Sequence, residues 1–472
     1  MERLKDLWRR ELSYKPLLIL LGVGLLLRIA LFAFYSPGII FSLDAARFTQ
    51  TAPTVDGTFD DIWMPAGYSM YLSVVHFISS QLWLPIAIQH LVALGVAVAV
   101  YLTLRRVNLS QAAATVGAAV LVLPGDLLFL EHAVLIDSWM LSLAALACCA
   151  AIRGLVPKVN LKWLAAAGVL AGLTMVFRSV GLAVIPALIL IAIAATASPW
   201  RPRLLSGAVV AAGSVTVLLV YVGAFHASDG RYLGISDMSG WNLYSRVAPF
   251  AVCSEFEVPK GTEQLCDPTP VDKRPGPDYY GWFSPDVSTE ASEVRGRFAR
   301  ATIKGQPKTY AEAVLTDLGR YVEPSIKNTP LGGTERAFVA FDNPGLDPVL
   351  GKNLRARDYV KTRYSGVSEP RGGADAFGVY QRVVRIHGLL LPFLLIAVIA
   401  GLIKLPGPQR IAIGTFGLAS AGLYILPTLT FSYDYRYGVP PGALLAIAAV
   451  VAVAGLYVQL RARGAPAAQP RD

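Results

Sequence analysis

The chain has 472 residues, of which 54% are hydrophobic and only 16% charged. That balance, with the apolar residues gathered in long unbroken blocks, excludes an ordinary soluble globular protein and implies a helical bundle in a bilayer. The formal net charge is +10. Much of the positive charge lies in short turns between apolar blocks, where membrane topology accounts for it better than nucleic acid does; no nucleic-acid partner is expected. Arg outnumbers Lys, and Ala and Val are abundant, a composition that points to a high-GC bacterial genome.

In chain order, apolar spans are expected near 17–36, 82–104, 112–130, 134–152, 163–178, 179–198, 204–226, 386–404, 411–430 and 437–460. This is an all-α polytopic membrane protein of ~10 transmembrane helices. The first span follows a basic start (Arg3, Lys5, Arg9, Arg10, Lys15) and is expected to be a retained anchor rather than a cleaved leader. Arg105, Arg106, Arg153, Lys158, Lys162, Arg201, Arg203, Lys404, Arg410, Arg461 and Arg463 all fall on the side of the N-terminus. By the positive-inside rule both termini are then cytoplasmic, and the expected location is the bacterial inner membrane. The division is an N-terminal transmembrane module over 1–226, an extracytoplasmic loop domain over 227–385, C-terminal helices over 386–460 and a cytoplasmic tail over 461–472.

Two segments lie on the outer side. The first, 37–81, carries acidic residues and, over 62–79, an amphipathic aromatic stretch suited to lie along the interface. The second, 227–385, is rich in Gly, Pro and charge and too long for a simple connection, so it should be a small folded domain or a lid. It holds two helix-like stretches, near 288–303 and 308–321, separated by Gly305 and Pro307. Cys253 and Cys266 lie within it; in an oxidising compartment that spacing suits a disulfide. Cys148 and Cys149, inside an apolar block, read as small buried residues.

The charged residues that break the pattern are the candidates for chemistry. Asp44 sits just after the first span, with Arg47 one helical turn later. Asp137 stands at the entry to the fourth span, preceded by Glu131 and His132. A carboxylate at membrane depth is costly and is a functional candidate by default, although position alone fits an interfacial cap as well. His132 by itself reads as packing. Arg178 and Arg436 occupy short outer turns, where the positive-inside rule disfavours them, so each should pair with an acid or bind an anion. Asp434 is the nearby acid for Arg436, and Arg28, inside the first span, should snorkel or find a carboxylate. On this topology Asp44, Asp137, Arg178 and Arg436 meet at one membrane face beneath the large loop, an arrangement suited to chemistry on a phosphorylated lipid.

These residues and their order resemble the GT-C superfamily of membrane glycosyltransferases, in particular the branch of the protein O-mannosyltransferases and lipid A aminoarabinose transferases. SLDAARF is similar to that branch's Asp-Glu-x-Arg-Tyr motif at Asp44, Arg47 and, loosely, Phe48. MPAGYSMY matches a Pro-Pro-x-Tyr element at Pro65 and Tyr68. Asp137 matches a carboxylate at the third-to-fourth helix turn, Arg178, Gly181 and Pro186 an Arg-Gly-Leu element with a later Pro, and Arg436, Tyr437 and Pro440 a late Arg-Tyr-x-x-Pro. The pattern departs at Ala45, which removes the second acid of the first motif, and at Met64, where the aminoarabinose branch has a phosphate-binding Lys.

The resemblance implies transfer of a hexosyl or pentosyl group from a polyprenyl-phosphate donor to a hydroxyl of a lipid, glycan or protein acceptor on the outer face, with inversion. Asp44 would be the general base; Asp137 would position the acceptor or hold a divalent metal, no other cofactor being implied. Arg47, Arg178 and Arg436 would bind the donor phosphate, with Arg28, Tyr68, Glu131, His132 and Tyr437 around the substrate pocket. The alternative is a transporter or flippase of a lipid-linked or anionic solute, for which internal repeats and polar groups near the bilayer midplane would be expected.

Overall fold

In a computed structural model of the chain, the described residues are 2–40, 42–51, 63–196, 199–229, 233–282, 291–323, 360–367, 374–386 and 388–464. Parts of the expected outer segments and the tail beyond 464 lie outside them. Among the described residues the fold is all-α, with two isolated β-bridges and no strand.

The N-terminal half comprises α1 (Glu2–Tyr35), α2 (Ser42–Thr51), α3 (Gly67–Ile78), α4 (Trp83–Arg106), α5 (Gln111–Val122), α6 (Gly125–His132), α7 (Asp137–Leu155), α8 (Leu161–Phe177), α9 (Val184–Ala195) and α10 (Trp200–Asp229). The loop region contributes α11 (Ser239–Val247), α12 (Pro277–Trp282), α13 (Ser292–Gly305), α14 (Pro307–Arg320) and α15 (Ala374–Val383). The chain returns to the bundle with α16 (Leu391–Lys404), α17 (Gly407–Thr430) and α18 (Tyr435–Gly464).

Each of the ten expected spans falls on a helix of this set, yet not all are long enough to cross alone. Six described helices meet the length and apolarity of a span, a seventh such stretch, Ala376–Lys404, takes in both α15 and α16, and α5 with α6 makes an eighth, bent by 49°. The bend falls at Pro124, which has no N–H to donate and whose own backbone leaves the helical region (φ −58°, ψ 129°). Helix α8, with 17 residues, is ~25 Å long and α9 is shorter, against a hydrocarbon thickness of ~30 Å. The two are joined through Arg178 and a 3₁₀ turn, Ser179–Ala183. The protein is therefore a multi-pass membrane protein, eight of whose spans are met by helix length and composition.

The bundle core is aliphatic and rich in Ala, as in α7, where Ala144, Ala145, Ala147, Cys148 and Ala151 are all buried. Small residues let helices approach closely where lipid offers no hydrophobic drive. Gly24 of α1 illustrates this: a Cβ there would lie 2.3 Å from Val122 Cγ1 of α5. Large apolar side chains such as Leu26, Leu219, Val220 and Ile403 stay exposed on the outside of the spans, as a lipid-facing surface requires. At the end of the bundle that holds the basic turns, Arg106 donates to Val156 O, Arg203 to Thr196 O and Arg410 to Leu405 O. The arginines that set the charge bias thus also satisfy carbonyls at helix ends.

At the opposite end, α11–α14 pack around Tyr244, Val247, Phe250, Leu265, Tyr280 and Phe298. The sulfurs of Cys253 and Cys266 are bonded, with Cα atoms 6.1 Å apart, and Cys148 and Cys149 are free and buried. Tyr310 donates to Leu429 O, and Tyr321 packs edge-on against Tyr424 and Tyr433, which seats this unit on the end of α17. Helix α3 buries Tyr68, Leu72 and Val75 and exposes Val74, Phe77 and Ile78, an amphipathic division.

Candidate active site

Local backbone breaks put the candidate side chains at one end of the bundle. Asp137 opens α7, where the partial positive charge of the helix N-terminus favours a carboxylate. The chain before α2 is pinned to the α6–α7 turn by an isolated bridge, Ile39 N–H to His132 O and Val134 N–H to Ile39 O, both 2.9 Å. That bridge brings the helix carrying Asp44 to the start of α7. Arg178 follows the last residue of α8 in extended conformation (φ −148°, ψ 128°), so its side chain leaves the helix axis. Asp434 caps α18: its Oδ1 accepts the backbone N–H of Arg436 at 2.8 Å. The nearby acid thus serves the backbone, and the Arg436 side chain turns elsewhere.

Four residues from four segments then converge. Arg178 Nη1 donates to Asp137 Oδ1. Arg436 Nη1 and Nη2 stand 3.4 and 3.5 Å from Asp44 Oδ2, and Arg436 Nε lies 3.9 Å from Asp137 Oδ2. Tyr437 lies between the two guanidinium groups, its ring centre 4.4 Å from Arg178 Cζ and 5.5 Å from Arg436 Cζ. The two carboxylates and two guanidinium groups sum to zero formal charge, which makes such a group tolerable in a largely dry setting.

Accessibility separates the two acids. The Asp137 side chain is fully buried, whereas that of Asp44 is 23% exposed and meets Arg436 at long range. Asp44 is therefore the carboxylate open to an incoming molecule, and Asp137 the one that ties the arginines together. Arg47 stands one turn beyond Asp44, half-buried.

The remaining expected pocket residues are placed differently. Tyr68 is fully buried, packs on Phe48 and donates to Gln89 Oε1 at 2.7 Å, so it supports α2 from beneath. Arg28, Glu131 and His132 belong to a separate buried network. Arg28 Nε and Nη2 donate to Glu131 Oε2 at 2.9 and 2.6 Å; His90 Nδ1 lies 3.0 Å from the same oxygen, and His90 Nε2 lies 2.9 Å from His132 Nδ1. Arg28 thus pairs with a carboxylate rather than snorkelling. Glu131 and Asp137 line one small cavity together with Ser138, which links network and cluster.

Three acids or bases in such networks escaped the sequence reading: His90, Asp126, which binds Arg385 and Tyr435, and Asp317, which binds Arg246 and the backbone of Tyr433. For His90 and Asp126 a signal existed, an ionisable residue inside an apolar block. Asp317 lies on an ordinary charged helix and carries no such mark. Among the described residues no three His, Cys, Asp or Glu side chains converge as metal ligands. Asp44 and Asp137 each face guanidinium groups instead, so this donor set does not fit a divalent ion and no step is assigned to one.

Two solved structures are similar to the chain: an archaeal oligosaccharyltransferase AglB from Archaeoglobus fulgidus in complex with an inhibitory peptide and a dolichol-phosphate (12% identity, TM-score 0.47), and the apo form of the Archaeoglobus fulgidus oligosaccharyltransferase (13% identity, TM-score 0.44). The alignments cover 98% and 96% of this chain but 53% and 51% of those, so the chain spans about half the length of either. No curated protein matches the sequence. Residues 81–229, which include Asp137 and Arg178, match the family model described as dolichyl-phosphate-mannose-protein mannosyltransferase.

Proposed function

We propose that the protein transfers a single sugar from a polyprenyl-phosphate donor to an acceptor hydroxyl, at the extracytoplasmic face of a bacterial inner membrane with both termini in the cytoplasm. One observation carries this reading: Asp44, Asp137, Arg178 and Arg436, from four segments, form a cluster at the end of the bundle away from the basic turns and beside the disulfide-bonded loop unit. The match of residues 81–229 supports it independently.

In this reading the donor phosphate sits against Arg178 and Arg436. A guanidinium has five N–H donors, more than one carboxylate can use, and a planar fork that suits phosphate oxygens. The acceptor hydroxyl meets Asp44, which takes its proton as the oxygen attacks the anomeric carbon. The bond from that carbon to the phosphate oxygen breaks, and the arginines neutralise the departing polyprenyl phosphate. The proton on Asp44 then leaves to water. Attack opposite the leaving group inverts the anomeric centre. Asp137 does not touch the reacting atoms; it holds the two arginines at a fixed spacing.

A transporter would need its polar groups available along a path through the bundle. Arg28 of α1 and Glu131 of α6, both buried, are instead committed to one another. The test is purified protein in nanodiscs incubated with a panel of polyprenyl-phosphate hexoses and pentoses and with hydroxyl acceptors, read by mass shift. Transfer by the natural protein and none by Asp44→Asn is the expected result. Facilitated movement of the lipid without transfer, under any donor, would overturn the reading.

A further inference from the structure

The turn that bears Arg436 is anchored on both flanks by buried carboxylates that no step above uses. Tyr435, immediately before Arg436, donates its hydroxyl to Asp126 Oδ2 at 2.9 Å. Asp126 lies in α6, just past the Pro124 bend, with its side chain 2% exposed. Its other oxygen, Oδ1, accepts from Gln381 Nε2 of α15 and from Arg385 Nη2, both at 2.8 Å. The contact is close in the backbone as well: Gly125 N–H donates to Val384 O at 2.7 Å, and a Cβ on Gly125 would lie 2.5 Å from Gln381 Cα. On the other flank Tyr433 N–H donates to Asp317 Oδ2 at 3.1 Å. Asp317, in α14, also accepts from Arg246 of α11 and, through Oδ1, from Arg320 at 3.0 Å.

Each carboxylate therefore joins three elements, one of which is always the 433–435 segment. Buried charges this well satisfied are stiff: moving the turn would strip hydrogen bonds from an ionised group in a dry environment, which is far costlier than losing a neutral contact. The side chain one residue on inherits that stiffness. The second consequence concerns the loop region, because Asp317 and Asp126 tie α11, α14 and α15 directly to the 433–435 segment.

We propose that Asp126 and Asp317 are positioning residues that hold the Arg436 guanidinium where the donor phosphate must bind, and so make the loop helices part of the donor site. This rests on the reading of Arg436 as a phosphate ligand. The experiment measures the dissociation constant of undecaprenyl phosphate for the full-length protein in nanodiscs. Asp126→Asn, Asp317→Asn and Tyr435→Phe are compared alone and combined with Arg436→Ala. Tyr435→Phe removes one hydroxyl and keeps the ring, so it reports even where an Asp variant fails to fold.

The expected weakening is about fivefold for Tyr435→Phe and on the order of tenfold for each Asp→Asn. In the Arg436→Ala background these losses should vanish, since a residue acting through Arg436 has nothing left to act on. A purely structural role predicts the same loss in both backgrounds. Full additivity, on an Arg436→Ala protein that has itself lost donor affinity, would overturn this inference alone. An Arg436→Ala protein that binds undecaprenyl phosphate as well as the natural one would overturn the donor-phosphate reading and this inference with it.

Discussion

Asp137 holds Arg178 through one carboxylate oxygen and turns the other toward Arg436, 3.9 Å away. A single buried acid thereby sets the spacing of two guanidinium groups 258 positions apart in sequence number (436 − 178). The arrangement makes the two acids of the site separable by experiment.

Removing Asp137 leaves a buried Arg178 without its partner. Asp137→Ala should destabilise the protein by about 3–5 kcal/mol, the usual consequence of orphaning a buried charge. Asp44, partly exposed and held by contacts of 3.4 and 3.5 Å, should cost well under half as much. Thermal unfolding of the two variants in the same detergent checks this; equal losses would mean that Asp44 is as structural as Asp137.

Asp44→Asn keeps the size of the side chain but accepts no proton. Transfer should fall by about 10²–10⁴-fold while binding of the donor lipid is kept. Single-turnover rates beside equilibrium binding separate the two effects. An Asp44→Asn enzyme at natural speed would assign the proton to another group.

Arg178→Lys and Arg436→Lys keep the charge and lose the planar fork. Donor affinity should drop by about tenfold in each, reflecting one or two lost charge-assisted hydrogen bonds. Isothermal binding of a polyprenyl-phosphate sugar measures it. Lys variants that bind as tightly as Arg would show that the phosphate is held as a point charge only, or elsewhere.

The Cys253–Cys266 bond closes a short loop in the α11–α14 unit. Its loss in Cys253→Ser should relax that loop by about 2–4 kcal/mol. Limited proteolysis should then cleave within 253–266 under conditions that spare the natural protein, with the transmembrane core intact. An unchanged digestion pattern would show that packing around Phe298 and Tyr244 suffices.

Topology is open to direct labelling. A cysteine at exposed Glu263 should react with a membrane-impermeant maleimide on intact cells, and one at exposed Lys162 only after permeabilisation. The reverse pattern would invert the orientation and move the site to the cytoplasmic face.

The linear sequence by itself determined the membrane bundle, the one-sided basic turns and the identity of the outlying charges. Hydropathy and charge bias are additive along the chain, because each residue meets water or lipid on its own account. Arg178 and Arg436 stood out for the same reason, since each violated a rule that its neighbours obeyed. Pairing is not additive. Whether Arg436 takes Asp434 or Asp44, and whether Arg28 reaches Glu131, depends on the rotation and axial offset of helices far apart in the chain. Those are settled by packing: the close approach at Gly24, the bend at Pro124, the bridge between Ile39 and the α6–α7 turn. Only the tertiary structure decided that Asp434 caps a helix, that Tyr68 is a support, and that Asp126 and Asp317 hold the turn on which Arg436 stands.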